Sequence, residues 1–181
     1  MKPRTYSSEA VVLARRNYGE ADRIVVLYSK DYGKVSVIAK GVRRTKSKKS
    51  SSVEVFSRIK FSAARGKNLD ILTETEILDS YAATRKDLKK VSVAYFLMET
   101  VGRLTREDEP NIKYYSDVLE NLRTLASSKS LRKLREQFVY DSLVELGFWP
   151  KGKKMENVDK VLEEVSERQS NSARVGKKML A

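Results

Sequence analysis

The chain has 181 residues and a 40% hydrophobic share, enough for one ordinary domain or two small ones with packed cores. Its net charge of +13 favours an anionic partner, above all nucleic acid. The sequence holds neither cysteine nor histidine, which excludes disulfides, thiol nucleophiles, imidazole bases and zinc sites built on these residues. It shows no apolar signal segment and no run of membrane-spanning length, so we expect a cytoplasmic protein without a membrane partner.

The first eighty residues carry five short apolar or alternating runs, which predict five β-strands. The runs lie at residues 9–16, 23–29, 34–40, 53–63 and 69–78. Three of the four connections are short and contain glycine, as hairpin turns do. Five antiparallel strands of this length suit a small closed barrel such as the OB-fold, which binds nucleic acid. An SH3-like barrel fits the strand count almost as well.

The fourth connection, residues 40–52 (KGVRRTKSKKSSS), is here called the basic loop. Its only apolar side chain is Val42, so we expect a mobile, exposed loop. It contains no acidic residue and six basic ones: Lys40, Arg43, Arg44, Lys46, Lys48 and Lys49. Each Lys or Arg that neutralises a phosphate releases counterions, so such a loop suits a nucleic-acid backbone. The alternative is a loop that serves only solubility.

Other residues of the first half are candidates for the same surface. Four cations near strand ends are predicted to line one groove with the basic loop: Arg15, Arg16, Arg65 and Lys67. Tyr18, Tyr28 and Tyr32 are candidates for stacking on bases, with a core position favoured for Tyr28. Glu20, Asp22 and Arg23 are expected to fix the first hairpin.

From Tyr81 onward the spacing of apolar residues becomes helical. A helix is predicted to begin at a capping box of Thr84 and Asp87, with a stripe from Leu88 to Val101. A second helix follows to about residue 125, and a third begins after Ser130 and ends before Gly147. A short amphipathic helix is predicted over residues 155–165.

These patterns predict an α+β protein in which a five-stranded OB-fold-like barrel precedes an all-helical domain. We expect an OB-fold nucleic-acid-binding domain at residues 1–80 and a helical domain at 81–150. Residues 151–181 are expected to form a basic linker, the short helix and a flexible tail that frays from residue 166 or orders only against a partner.

Residues 18–44 (YGEADRIVVLYSKDYGKVSVIAKGVRR) resemble the N-terminal signature of the RecO family of bacterial recombination mediators. Five short motifs, at residues 18–20, 22–23, 28–29, 32–34 and 39–44, follow the family's order and spacing. Phe56, Gly66, Leu69, Glu74 and the helical run that ends at residues 146–148 are also similar. The resemblance covers residues 6 to about 150.

The resemblance implies an N-terminal OB-fold, a helical domain, and binding to single- and double-stranded DNA at the nucleoid. It implies ATP-independent annealing of complementary strands and partnership with RecR and with the C-terminal tail of single-strand-binding protein (SSB), so that RecA is loaded. Arg43 and Arg44 are the strongest candidates, because the loop and the family motif coincide there. Many members carry a four-cysteine zinc module, which we expect to be absent or degenerate in a chain without cysteine, and we expect a short member of the family.

Two other functions stay open. One is an adaptor whose helical half binds an acidic peptide tail through Arg132, Lys133 and Arg135. The other is an OB-fold protein that binds RNA. An enzyme is disfavoured, because Glu74 and Glu76 share a strand face without any nucleophile or phosphate-binding motif nearby. We expect no catalytic residue, metal or cofactor.

Overall fold

A computed structural model of the chain describes residues 4–47 and 49–179, with side chains described as far as residue 168. Five strands come first, and each matches a predicted run. They are β1 (Thr5–Tyr18), β2 (Asp22–Ser29), β3 (Gly33–Ala39), β4 (Arg58–Ala64) and β5 (Asp70–Asp79).

The strands close into a barrel in the order β1-β2-β3-β5-β4. β1, with 14 residues, is long enough to pair with β4 through its first half and with β2 through its second half. β3 and β5 run parallel, with Val37 opposite Asp70 and Ile38 opposite Ile71. This is the OB-fold arrangement, so the predicted barrel is confirmed. The SH3-like alternative is wrong, because that fold does not place its third strand beside its fifth.

The fourth strand is shorter than predicted. Residues 53–57, which the apolar pattern assigned to it, form turns instead. Val53 and Phe56 are fully buried there, and Phe56 adopts a left-handed backbone with φ of 59°. Their burial comes from covering the barrel and contacting the helices rather than from strand pairing, which a sequence pattern does not distinguish.

The second half is helical, as predicted. The helices are α1 (Ala82–Arg85), α2 (Leu88–Leu104), α3 (Ile112–Leu125), α4 (Leu131–Glu145) and α5 (Val158–Met179). Within the described residues, no helix combines the length and the apolar character needed to cross a membrane.

The predicted helix starts are confirmed in part. Asp87 caps α2, and its carboxylate accepts a hydrogen bond of 2.9 Å from the backbone N–H of Lys89. Thr84 instead lies buried inside the separate helix α1. Leu88, predicted to begin the apolar stripe, is 84% exposed. Ser130 occupies the N-cap position of α4, but its side chain makes no capping hydrogen bond.

The last helix is longer than the predicted short segment, because its backbone stays helical through Met179. The sequence has neither proline nor glycine between residues 158 and 175, so no strong helix breaker interrupts it. The structure changes from strands to helices near residue 80. The division of the chain into domains at residues 80 and 150 stays a prediction.

The barrel and the helices share a hydrophobic core. Val11, Leu13 and Tyr28 of the barrel pack in one cluster with buried residues of α2 and α3, such as Met98 and Tyr114. A second cluster fills the barrel interior, and a third joins α2, α4 and α5. The helices therefore cover one side of the barrel and leave its other surfaces available.

The turn between β2 and β3 forms a second joint with the helices. The amine of Lys34 donates hydrogen bonds to the carbonyl oxygens of Gly102 (2.8 Å) and Thr105 (2.7 Å) at the end of α2. Burial lowers the pKa of this amine. Gly33 lies against the backbone of Glu109, so the acidic connection before Pro110 contacts the barrel.

Candidate nucleic-acid interface

The basic loop is folded over one end of the barrel. Val42 is fully buried and belongs to the barrel's core cluster together with Val53. Ser52 is also buried, and its hydroxyl lies 2.6 Å from that of Thr75 on β5. The expectation that the whole loop is exposed was therefore wrong. A single apolar side chain is enough to anchor the loop, because the residues that surround it belong to the barrel core.

The first turn of the loop is held by the hairpin between β1 and β2. The carboxylate of Asp22 accepts a hydrogen bond of 2.7 Å from the backbone N–H of Gly41. The N–H of Arg43 donates to the carbonyl of Ala21 at 2.9 Å. Gly41 has a φ of 65°, which disfavours other residues at this position. Asp22, expected to fix its own hairpin, thus fixes the start of the basic loop.

The anchored backbone leaves most of the loop cations exposed. Lys40, Arg43, Arg44 and Lys46 are exposed, and none of them forms an ion pair with another described residue. Lys49 is half-buried, and its amine donates to the carbonyl oxygen of Leu72 at 3.3 Å. Lys48 lies outside the described residues.

A cleft of about 560 Å³ lies between the loop and the start of β2. Three arginines line it, and Glu54 is its one acidic side chain among the described residues. The lining side chains are Arg23, Val42, Arg43, Arg44, Thr45, Ser50, Ser51 and Glu54. The guanidinium of Arg43 also donates to the carbonyl of Gly19 at 3.3 Å. Cations and hydroxyl donors that converge on one cleft suit a phosphate backbone.

Sequence reasoning did not assign Arg23 to this surface. Its Cα pairs with that of Ala39, the last residue of β3, from which the loop departs. This strand register brings Arg23 beside Arg43 and Arg44. The sequence could have indicated this, because the second and third predicted strands are joined by a hairpin turn. Antiparallel pairing then places the start of the second strand beside the end of the third.

The two cations at the end of β1 differ in their surroundings. Arg15 forms an ion pair with Glu54 at 2.5 Å, so its charge is partly neutralised at the edge of the cleft. Arg16 is exposed and makes no ion pair with a described residue. Of the two, Arg16 is the better placed to meet an anion.

Arg65 and Lys67 do not join this groove. Arg65 pairs with Asp70 at 3.2 Å and lies over the ring of Tyr6. It lines a separate cleft with Lys34, Glu107 and Asp108. That cleft adjoins residues 34–36 of β3 and Asp70, which pairs with Val37, whereas the loop departs after the last residue of β3, so roughly 7–17 Å along the strand separates them. The prediction of a single groove was wrong in this respect, and any DNA contact by this pair stays a prediction.

The three candidate tyrosines occupy different environments. Tyr28 is fully buried in the core, and burial raises the pKa of its hydroxyl to about 12. Tyr32 packs against Tyr6, with ring centroids 4.7 Å apart. Tyr18, at the end of β1, is 51% exposed. Only Tyr18 has a largely open ring face among the three.

The cations predicted to bind a partner protein lie at the start of α4, and two of them are engaged within the chain. Arg135 pairs with Asp159 of α5 at 2.7 Å and lies 3.9 Å from the ring centre of Phe96. Arg132 pairs with Glu136, one helical turn away. Lys133 is exposed. The arrangement serves the contact between α4 and α5, and a partner contact stays a prediction.

The structure offers little for metal binding. Glu74 and Glu76 are both exposed on β5. Across the residues that the structure describes, no three acidic side chains converge on one point as metal ligands would. A four-cysteine zinc module does not fit this sequence, which has neither cysteine nor histidine.

Val42→Ala is expected to lower the free energy of unfolding by about 1.5–3 kcal/mol. Two buried methyl groups are lost at about 0.8 kcal/mol each, and the cavity left behind adds to this. Urea unfolding monitored by circular dichroism measures the change. The control is Thr45→Ala, an exposed position of the same loop, for which we expect less than about 0.5 kcal/mol. Equal effects of the two substitutions would show that the loop does not depend on Val42 for its anchorage.

Comparisons with known proteins match one and the same family over most of the chain. The family model described as Recombination protein O N terminal matches residues 1–81, and the one described as Recombination protein O C terminal matches residues 85–155. DNA repair protein RecO of Pelotomaculum thermopropionicum is 33% identical over 145 residues, which is 80% of this chain and 56% of that protein. DNA repair protein RecO of Bifidobacterium adolescentis is 36% identical over 149 residues, or 81% of this chain and 61% of that protein. The chain thus spans a little over half the length of these relatives.

Proposed function

The chain belongs to the RecO family of DNA repair proteins, and on that premise we propose that it binds single- and double-stranded DNA and anneals complementary strands without ATP. The observation that carries the proposal is the anchored basic loop. Buried Val42 and the Asp22–Gly41 hydrogen bond fix its backbone, and its cations lie exposed beside an arginine-lined cleft.

The mechanism we propose is electrostatic. Two complementary strands repel each other through their phosphates, and a surface that neutralises phosphates on both strands lowers this repulsion. Contacts to the backbone leave the base edges free to find their complements. Because Val42 and Gly41 anchor the start of the loop, the cations beside them are held at the barrel when they meet DNA. The chemistry requires no bond to be made or broken, so the protein acts as a mediator rather than an enzyme.

The partners follow from the family and belong to the same proposal. Annealing of strands coated by SSB, contact with RecR and loading of RecA would place the protein in recombinational repair, in the cytoplasm at the nucleoid. The SSB tail is acidic, and the exposed side chain of Lys133 is the candidate on α4 with no partner among the described residues. Since Arg135 and Arg132 are paired within the chain, we rank DNA annealing above a purely protein-binding adaptor.

Binding to oligonucleotides should depend steeply on salt. If the four exposed loop cations and Arg23 each contact a phosphate, a plot of log affinity against log salt has a slope of about −3.5 for a single strand and −4.5 for a duplex. Fluorescence anisotropy with a labelled strand at several potassium chloride concentrations measures this slope. A slope near about −1, roughly one contact, would exclude the loop as the main binding element.

The same titration separates DNA from RNA. Contacts to phosphates alone predict similar affinities for DNA and RNA strands of the same sequence. A clear preference for RNA would favour the RNA-binding alternative, since recognition of the 2′-hydroxyl is what distinguishes the two.

A further inference from the structure

The end of the β1–β2 hairpin presents an aromatic ring beside cations. Tyr18 is the last residue of β1, and its Cα pairs with that of Asp22. Arg16, two residues earlier, pairs with Ile24, which in turn pairs with Ile38 of β3. Side chains two residues apart on a strand point to the same face, about 6.6–6.8 Å apart. Arg16 and Tyr18 therefore stand side by side on one face of the sheet.

This face is the outer one and continues onto β3. Val25 and Val37 point into the barrel core, so their neighbours on β2 and β3 point outward. Lys40 is the first residue after β3, and its side chain is exposed. Ala39 pairs with Arg23, the neighbour of Asp22, so Lys40 emerges beside the pair of Asp22 and Tyr18. The ring thus shares this surface with a cation on β1 and one at the start of the basic loop. The carboxylate of Asp22, which lies between the ring and Lys40, accepts the hydrogen bond from the N–H of Gly41.

Packing does not account for the position of Tyr18. Its side chain is 51% exposed and makes no hydrogen bond or ring contact with any described residue. The other exposed tyrosine of the described chain with a large open surface, Tyr95, packs edge-on against Phe56 at 5.9 Å. A half-exposed ring without a partner, flanked by unpaired cations, is the arrangement that proteins use to bind unpaired bases.

We propose that Tyr18 stacks on a base of single-stranded DNA whose flanking phosphates lie on Arg16 and Lys40. This inference rests on the proposed DNA binding and adds to it a preference for unpaired bases. Bases inside a duplex are already stacked on both sides and offer no free face to the ring.

The experiment compares two probes of equal length, oligothymidylate and an abasic oligonucleotide that keeps the phosphates and lacks bases. Tyr18→Ala should bind oligothymidylate about 5- to 150-fold more weakly, the range expected for one lost base stack. Its affinity for the abasic probe should be unchanged. Tyr18→Phe should bind both probes like the wild type, because it keeps the ring. Tyr95→Ala is the matched control and should affect neither probe.

The outcomes separate this proposal from the one on which it rests. If the wild type binds both probes with equal affinity and Tyr18→Ala matches it, stacking is overturned while DNA binding stands. If Tyr18→Ala loses affinity for both probes equally, the residue acts on the phosphate surface and the stacking proposal fails. If the wild type binds neither probe, both proposals fail. Circular dichroism of each variant confirms the fold.

Discussion

Arg43→Glu/Arg44→Glu/Lys46→Glu is expected to abolish the annealing of complementary oligonucleotides and to leave the fold intact. All three side chains are exposed, and none is paired with an acid, so their reversal removes no stabilising contact of the core. At 0.1 M salt, each phosphate contact contributes roughly five- to eightfold in affinity, so the loss of three weakens binding at least about 100-fold. The introduced carboxylates repel phosphates and lower the affinity for DNA further.

The measurement is the rate at which two complementary fluorescent strands pair, without ATP, with the wild type and with the triple variant. The matched control is Lys129→Glu/Arg132→Glu/Lys133→Glu at the start of α4, which changes the net charge by the same amount. All three of these residues are exposed. Acidic residues are also favourable at a helix N-terminus, so the control should fold. It should anneal nearly as fast as the wild type if the loop, rather than overall charge, carries the function.

Two results would contradict the proposal. If both triple variants slow annealing equally, the effect comes from net charge and the loop has no special part. If the loop variant anneals like the wild type while the control variant loses binding to an SSB-tail peptide, the helical half carries the function. The protein would then be an adaptor, and the basic loop would serve another purpose.

The barrel was predictable because local pattern and topology agree. In β3 the alternation of Val35, Val37 and Ala39 with Ser36 and Ile38 corresponds to the buried and half-exposed faces observed. The glycine-containing turns between the strands fixed the hairpins. The fourth strand was overextended because Val53 and Phe56 are apolar for a tertiary reason, the closure of the barrel and the contact with the helices. Composition does not show which surface a buried side chain meets.

The site was predictable in its residues but not in its arrangement. The density of charge in the basic loop identified Arg43 and Arg44, and the structure leaves both exposed beside the cleft. The separation of Arg65 from them depends on how β3 and β5 align when the barrel closes, which no local pattern specifies. The roles of Asp22 and Arg23 depend likewise on strand register, because each lies next to a loop residue that is about twenty positions away in the sequence.

Gly33, the first residue of β3, shows a further limit of local reasoning. The sequence predicted a glycine-containing hairpin turn here, and the φ of 67° at Gly33 agrees. The structure adds a tertiary reason, since a Cβ at this position would lie 2.5 Å from the backbone of Glu109. Around this contact, the N–H of Lys34 donates to the carbonyl of Arg106, and the N–H of Asp108 donates to the carbonyl of Lys34. The turn therefore holds the connection between α2 and α3 against the barrel.

Gly33→Ala is accordingly expected to destabilise the protein by about 3–5 kcal/mol, a large effect for a single methyl group. The left-handed backbone costs about 1–2 kcal/mol for alanine. The remainder comes from pushing the helix connection away and weakening its hydrogen bonds to the barrel. For a chain of this size, the melting temperature should fall by roughly 10 °C. Urea unfolding monitored by circular dichroism measures the loss of stability. An unchanged m-value would show that the variant exposes as much surface on unfolding as the wild type.

Gly19→Ala measures the backbone part alone, so its comparison with Gly33→Ala gives the steric part of the effect. Gly19 also has a positive φ, 55°, but a Cβ there would meet nothing within 4 Å. We expect that variant to lose only the backbone part, about 1–2 kcal/mol. If the two variants unfold at the same urea concentration, the close approach to Glu109 contributes nothing to stability. If Gly33→Ala is far less stable but binds DNA with wild-type affinity below its melting temperature, the joint with the helices stabilises the barrel without shaping the basic loop at its other end.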